Sequence, residues 1–185
     1  MDYTDTLLET PRLLLRRHRP ADFQDVYACL SDAEVVRYEP YRPMTPEEVQ
    51  KNLEWRISTP EMIAVEHRQT GRLIGNIYLG RRDFDALELG YVFNRRYWGY
   101  GYARAGCCAA VNHAFLSGTY RIFAECDPEN IHSWRLLEAL GFTREAHLRQ
   151  NVYFWKDENG QPIWKDTYIY GKLSSGSTAS ADPQP

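Results

Sequence analysis

Little in this chain would serve a metal, a disulfide framework or a membrane. It has four cysteines, Cys29, Cys107, Cys108 and Cys126, with no Cys-x-x-Cys spacing among them. A zinc site or a redox pair is therefore not expected. The adjacent Cys107 and Cys108 fall among small residues and should pack as small hydrophobes. Five histidines, His18, His67, His113, His132 and His147, are scattered and make no His-Glu-x-x-His pair, so no metal is expected. No apolar run approaches the ~18 residues of a membrane span. The start, Met1-Asp2-Tyr3-Thr4-Asp5, is acidic and lacks the apolar stretch of a signal peptide, which makes a cytoplasmic protein the default. Positive charge is also short: 22 Lys and Arg stand against 25 Asp and Glu, for a net charge of −3. Nucleic-acid binding needs a basic field that the chain as a whole does not have. The pairs Arg16-Arg17, Arg81-Arg82 and Arg95-Arg96 are local.

What is present suits one domain over residues 1–173, with a Ser/Pro/Ala tail over 174–185 that has nothing to bury and is expected to be disordered. Residues 12–17 read as a first strand, and a helix follows over Ala21–Leu30. Residues 32–44 are loop-like, with Tyr38 and Tyr41 and two prolines. Thr45-Pro46-Glu47-Glu48 is a helix start with an N-cap, proline at the first position and acid in the first turn, and that helix should run to about Ile57. Strands are expected over Met62–His67 and Leu73–Gly80, joined by the turn Gln69-Thr70-Gly71-Arg72, and again over Leu87–Phe93. A helix over Gly101–Phe115 would pack through Ala103, Cys107, Ala110 and Ala114. A strand over Arg121–Cys126 and a helix over Asn130–Leu140 precede two long strands, 142–154 and 164–172, with an Asn159-Gly160 hairpin signal between them.

Two blocks carry chemistry. In the first, Glu88 to Ala103, an apolar strand runs into a basic turn and then into Gly99-Tyr100-Gly101, which opens a helix of small residues. Glycines let successive backbone N–H groups turn toward one point, and a helix N-terminus adds its positive dipole end, so a pyrophosphate is the natural guest. The dinucleotide fingerprint fails because Arg104 stands at the third-glycine position, and the Walker A pattern fails because no Gly-Lys-Ser/Thr follows. In the second block, Asp127 to Phe142, Asn130 is an N-cap and Gly141 suits the left-handed position after a helix. Ser133, Leu136, Leu137 and Leu140 share one helical face. A serine there either bonds backbone in the first turn or faces a ligand.

The spacing Arg96-x-x-Gly99-x-Gly101, followed by Asn130-x-x-Ser133 and Gly141-Phe142, resembles the GNAT superfamily of N-acetyltransferases. Glu9-Thr10-Pro11 before the first strand resembles the ribosomal-protein-alanine acetyltransferase branch. The resemblance covers about Glu9 to Leu173. It implies a mixed α/β fold, mostly antiparallel, with a splayed central strand pair. It also implies transfer of acetyl from acetyl-CoA to a primary amine in a ternary complex, with no metal. The implied cofactor contacts are strand backbone at Tyr91, Val92 and Phe93, the turn and loop Arg96, Trp98, Gly99, Tyr100, Gly101, Tyr102 and Ala103, and then Asn130 and Ser133.

Many relatives place a tyrosine where this chain has Leu137, which leaves Ser133 as the candidate general acid. Strand alternation groups Ala86, Glu88, Gly90 and Val92. Glu88 is the first choice of base, with a solvated position on a polar sheet face as the alternative. Glu125 is second, and Gln150-Asn151-Val152 holds no carboxylate. An α-amine of pKa ~8 is roughly a tenth neutral at pH 7, whereas a lysine near ~10.4 is neutral at well under ~0.1%, so only a lysine-like acceptor would demand a committed base. The acceptor, a peptide N-terminus or a small molecule, is expected near residues 38–44, the second helix and the terminal hairpin with Tyr153, Trp155 and Trp164, whose aromatics could equally form a homodimer surface. The alternative function is an acyl-CoA-binding sensor without turnover. A nucleotide-binding domain comes third.

Overall fold

The computed structural model describes residues 6–174. Except for Ser174, the tail expected to be disordered lies outside them. Eight strands form one sheet: β1 (Thr6–Glu9), β2 (Leu13–Arg16), β3 (Met62–His67), β4 (Arg72–Arg81), β5 (Leu87–Phe93), β6 (Arg121–Cys126), β7 (Thr143–Lys156) and β8 (Pro162–Leu173). Their order is β1-β2-β3-β4-β5-β6-β8-β7, and every neighbouring pair is antiparallel except β5 and β6. The helices are α1 (Phe23–Leu30), α2 (Pro46–Ser58), α3 (Tyr102–Leu116) and α4 (Ile131–Ala139).

Strand alternation sends apolar side chains to both faces, so the sheet is covered twice. On one face Leu13, Ile77, Leu89 and Phe93 pack with Cys107, Ala110, Val111 and Ala114 of α3 and Leu137 of α4. On the other, Val92 and Leu73 pack with Val26 and Leu30 of α1 and Val49 and Leu53 of α2. Cys107 is buried but Cys108 is exposed. Neighbours on a helix point about 100° apart, and the stripe of α3 that faces the core passes through Cys107 and leaves Cys108 outside it.

Local chemistry sets the boundaries. Thr45 and Glu48 form the expected capping box at the start of α2. Residues 20–22 form a 3-10 turn, so α1 starts later than expected. Asp22 at its end is buried against Arg16 and also accepts the Arg19 N–H. The β7–β8 connection differs from a two-residue Asn-Gly turn. Gly160 alone there takes positive φ, +75°, and the Asp157 carboxylate accepts the N–H groups of Asn159 and Gln161 at 2.9 and 2.8 Å. Asp157→Ala should cost about 1 kcal/mol. Thermal melting should show this as a fall of roughly 2–4 °C.

Candidate active site

The parallel pair β5–β6 is joined only at Leu87↔Ile122 and Glu88↔Phe123. Beyond that second rung the strands part and leave a wedge. On its other side β5 stays paired to β4 as far as Phe93↔Gly75. Backbone groups alternate along a strand. The Asn94 N–H donates to the Ile74 carbonyl, so even-numbered residues of β5, Val92 included, turn their N–H and C=O toward β4. Those of Tyr91 and Phe93 turn into the wedge. Of the three residues expected to offer backbone to a cofactor, the register thus selects two. The Phe93 carbonyl already accepts the Trp98 indole N–H at 2.7 Å, which leaves its N–H and both groups of Tyr91.

The wedge ends at the turn into α3. Asn94 caps a 3-10 turn, Arg95–Tyr97, by accepting the Arg96 N–H at 3.0 Å. Gly99 and Gly101 both lie in the left-handed region, at φ +81° and +76°, and Gly101 is the N-cap of α3. Nothing comes within 4 Å of a Cβ built on Gly99, so the space beside it is open. Arg12 braces its back, donating to the Tyr100 carbonyl at 2.9 Å and stacking 4.6 Å from the Tyr102 ring centre. The Tyr102 hydroxyl meets His67 Nε2 at 3.0 Å. Arg95 pairs with Asp32 at 3.2 Å on the far face, which leaves Arg96 as the arginine of that pair beside the loop.

Across the wedge, Asn130 accepts the Ser133 N–H at 3.2 Å as N-cap of α4, and its amide N–H groups remain for a ligand. Ser133 Oγ lies 3.0 Å from the Tyr91 hydroxyl, and that hydroxyl also donates to the Ser133 carbonyl at 3.0 Å. Tyr91 therefore lends its backbone to the wedge and its side chain to α4. Burial pushes its phenol well above the usual range, so it is a proton donor throughout the neutral range.

A wedge between two parallel strands, closed by a glycine loop at a helix N-terminus, is a cradle for an extended chain that ends in a pyrophosphate. The comparisons agree. Residues 12–143 match the acetyltransferase (GNAT) domain model. This chain belongs to the GNAT acetyltransferase family. It is 33% identical over 175 residues to YnaD of Bacillus subtilis, an uncharacterised N-acetyltransferase, across 90% of this chain and 96% of that one. The crystal structure of a GNAT-family acetyltransferase from Bacillus anthracis superposes with a TM-score of 0.83 at 28% identity, over 90% of this chain and 98% of that one. Ribosomal-protein-S5-alanine acetyltransferase from Vibrio fischeri shares the fold, at a TM-score of 0.69 and 22% identity over 91% and 97% of the two chains.

Within this GNAT fold the expected site residues do not all end in equivalent places. Glycine loop, Asn130 and Ser133 surround the wedge. Leu137, where the resemblance implies a tyrosine in many relatives, is fully buried in the core. Glu88 sits on the last closed rung, and its carboxylate is ion-paired to Arg82. The pair engages Oε2 of that carboxylate, so a base at Glu88 would work through the oxygen left over. Glu125 lies on the same face, its carboxyl raised by burial and by the charge of Glu88. Sequence reasoning missed two side chains. One is the Tyr91 hydroxyl, which strand parity could have aimed at α4. The other is Glu39, in the loop between α1 and α2, which carries no local motif. No group of three or more metal-ligating side chains occurs among the described residues.

Proposed function

We propose that this N-acetyltransferase binds acetyl-CoA in the β5–β6 wedge and passes the acetyl group directly to a primary amine entering from the α1–α2 face. The observation that carries this reading is the two-rung pairing of β5 with β6. It leaves the Tyr91 and Phe93 backbone groups aimed at an open slot that runs out at Gly99 and Gly101. Pantetheine is an extended amide chain, and it satisfies such an edge as a short added strand would. The loop N–H groups from Gly99 to Ala103, the dipole of α3 and Arg96 hold the pyrophosphate. Asn130 contacts the pantetheine amides. The Tyr91 N–H polarises the thioester carbonyl. Ser133, bonded to Tyr91, protonates the departing thiolate.

Family membership supports the acetyl donor, and the four free cysteines suit a reducing cytoplasm. Residues 12–143 include the glycine loop, Asn130 and Ser133. The test is thiol release from acetyl-CoA across a panel of peptides with free N-termini, blocked lysine peptides, amino acids and polyamines. Acceptor-dependent thiol release is the expected result. Tight CoA binding with no release on any amine would instead support a sensor.

A further inference from the structure

A cavity of about 350 Å³ opens between the α1–α2 loop and the β7–β8 hairpin. That volume suits a small molecule or one or two residues of a peptide. Its wall holds a single carboxylate, Glu39, against three cations, Arg37, Arg42 and Lys156. Arg42 is held in place by stacking 4.7 Å from the Trp155 ring centre. The loop shares the core on that face of the sheet with β5, since Val36, Tyr41 and Met44 belong with Val92 to one hydrophobic cluster. Glu39 lines this cavity from a loop that shares its core with Val92 of β5. The Tyr41 hydroxyl lies beside it on the same cavity wall. The buried Arg56 of α2 spends its Nε–H on Asn52 and not on Glu39.

We propose that Glu39 receives the amino group of an acceptor that also carries a carboxylate, and that it takes the amine's proton as the base of the transfer. This rests on the acetyl-transfer reading above. With Arg37 paired to Glu34 at 3.9 Å, Arg42 and Lys156 still outnumber Glu39 on the wall, which disfavours polycations such as spermidine. The wall matches an amino carboxylate, whose ammonium reaches Glu39 while its carboxylate meets the cationic rim. The balance is complete. One ammonium proton passes to Glu39 and frees the nitrogen lone pair. Attack forms the N–C bond, and collapse breaks the C–S bond. The second nitrogen proton reaches the thiolate through the Ser133 hydroxyl, and Glu39 releases its proton to water.

Burial pushes the Glu39 carboxyl up to about 7, against the pull of the Tyr41 hydroxyl and the Arg56 charge. A base is most effective with a pKa near the working pH. The groups facing it are Arg56 from α2, Cys29 from α1, Tyr41, Arg37 and Arg42 from its own loop, Tyr91 from β5 and Lys156 from β7. Because a charged Glu39 binds an ammonium, kcat/KM should climb with pH and level off above about pH 7, well below the acceptor's own pKa.

The test measures thiol release from acetyl-CoA with free amino acids, their amides, peptides that begin with an acidic residue, and spermidine. Amino acids are expected to exceed their amides by at least about tenfold in kcat/KM. If acid-first peptides alone exceed amides, the same chemistry stands with the peptide as its source. Glu39→Gln should lower kcat/KM by about 100-fold and move the plateau up to the acceptor's pKa, and Glu39→Asp should restore part of both. Arg42→Glu should erase the preference for the carboxylate. The Gln variant should also melt higher than the natural protein above pH 7 and equally at pH 4, since a raised carboxyl destabilises the fold only where it is charged. Amides or spermidine used as well as amino acids would overturn the proposal, as would a Glu39→Gln enzyme with an unchanged rate and plateau, or CoA binding without turnover of any amino carboxylate. Failure to bind CoA at all would overturn the acetyl-transfer reading itself.

Discussion

Gly101→Asp is expected to weaken CoA binding by more than about 100-fold, or about 2.7 kcal/mol, and to leave the protein folded. Gly101 is the N-cap of α3 at φ +76°. An aspartate there would cost about 1–2 kcal/mol of backbone strain. A Cβ at this position meets only Arg12 Nη2, at 3.5 Å, so the core is untouched. The functional cost is electrostatic. The loop N–H groups and the helix dipole offer partial positive charge to a pyrophosphate, and a carboxylate fixed at the N-cap of α3 opposes that charge and repels the ligand. Gly99→Ala is the control. It adds comparable strain at φ +81° without charge and with no neighbour within 4 Å, and so should weaken binding far less. Titration calorimetry with CoA separates the two. A folded Gly101→Asp protein with undiminished affinity would remove the loop from the account.

The second large effect is expected at the bond that spans the wedge. Tyr91→Phe and Ser133→Ala should each lower kcat by about 10–100-fold with little change in the KM for acetyl-CoA. The hydroxyls touch each other at 3.0 Å and serve one proton path. The double variant should therefore be no slower than the slower single, whereas independent roles would multiply. Burial holds the Tyr91 phenol above its usual range, so its ionisation should place no alkaline fall in the rate below about pH 10. A fully additive double variant would show that the bond is structural.

The parts of this molecule that could be read from sequence are those whose chemistry is short-range. Gly101 at positive φ, Asn130 as a cap three residues before its partner amide, and the Thr45–Glu48 box each depend on neighbours within a turn. The long strands and helices follow from their periodicity. β1 was not visible, because Thr6–Glu9 is too short to show a period and exists through its pairing with β2, Leu8 facing Leu15. The Asn159-Gly160 signal named the hairpin but not its turn, since the Asp157 carboxylate decides the geometry.

Within the site, the loop and the α4 cap came from pattern, but the pairing of functional groups did not. The motif spacing singles out Arg96, but only the fold shows what becomes of Arg95, which it carries away to Asp32. Glu88 stands in its own window as a candidate base, and only the fold of the β4–β5 connection brings Arg82, six residues earlier, against its carboxylate. Glu39 lies in an irregular loop with no periodicity, and its environment comes from α1, α2 and β7 together. Such residues are recognised by what surrounds them, which no local window contains.

The most direct test of the wedge itself is residue-resolved amide hydrogen exchange with and without CoA. If pantetheine adds to the free edge of β5, the Tyr91 and Phe93 amides gain strong protection on binding. The Val92 amide, already facing β4, should change little. Protection that appears at Val92 instead, or CoA binding that leaves Tyr91 and Phe93 exchanging as before, would contradict the placement of the cofactor between β5 and β6.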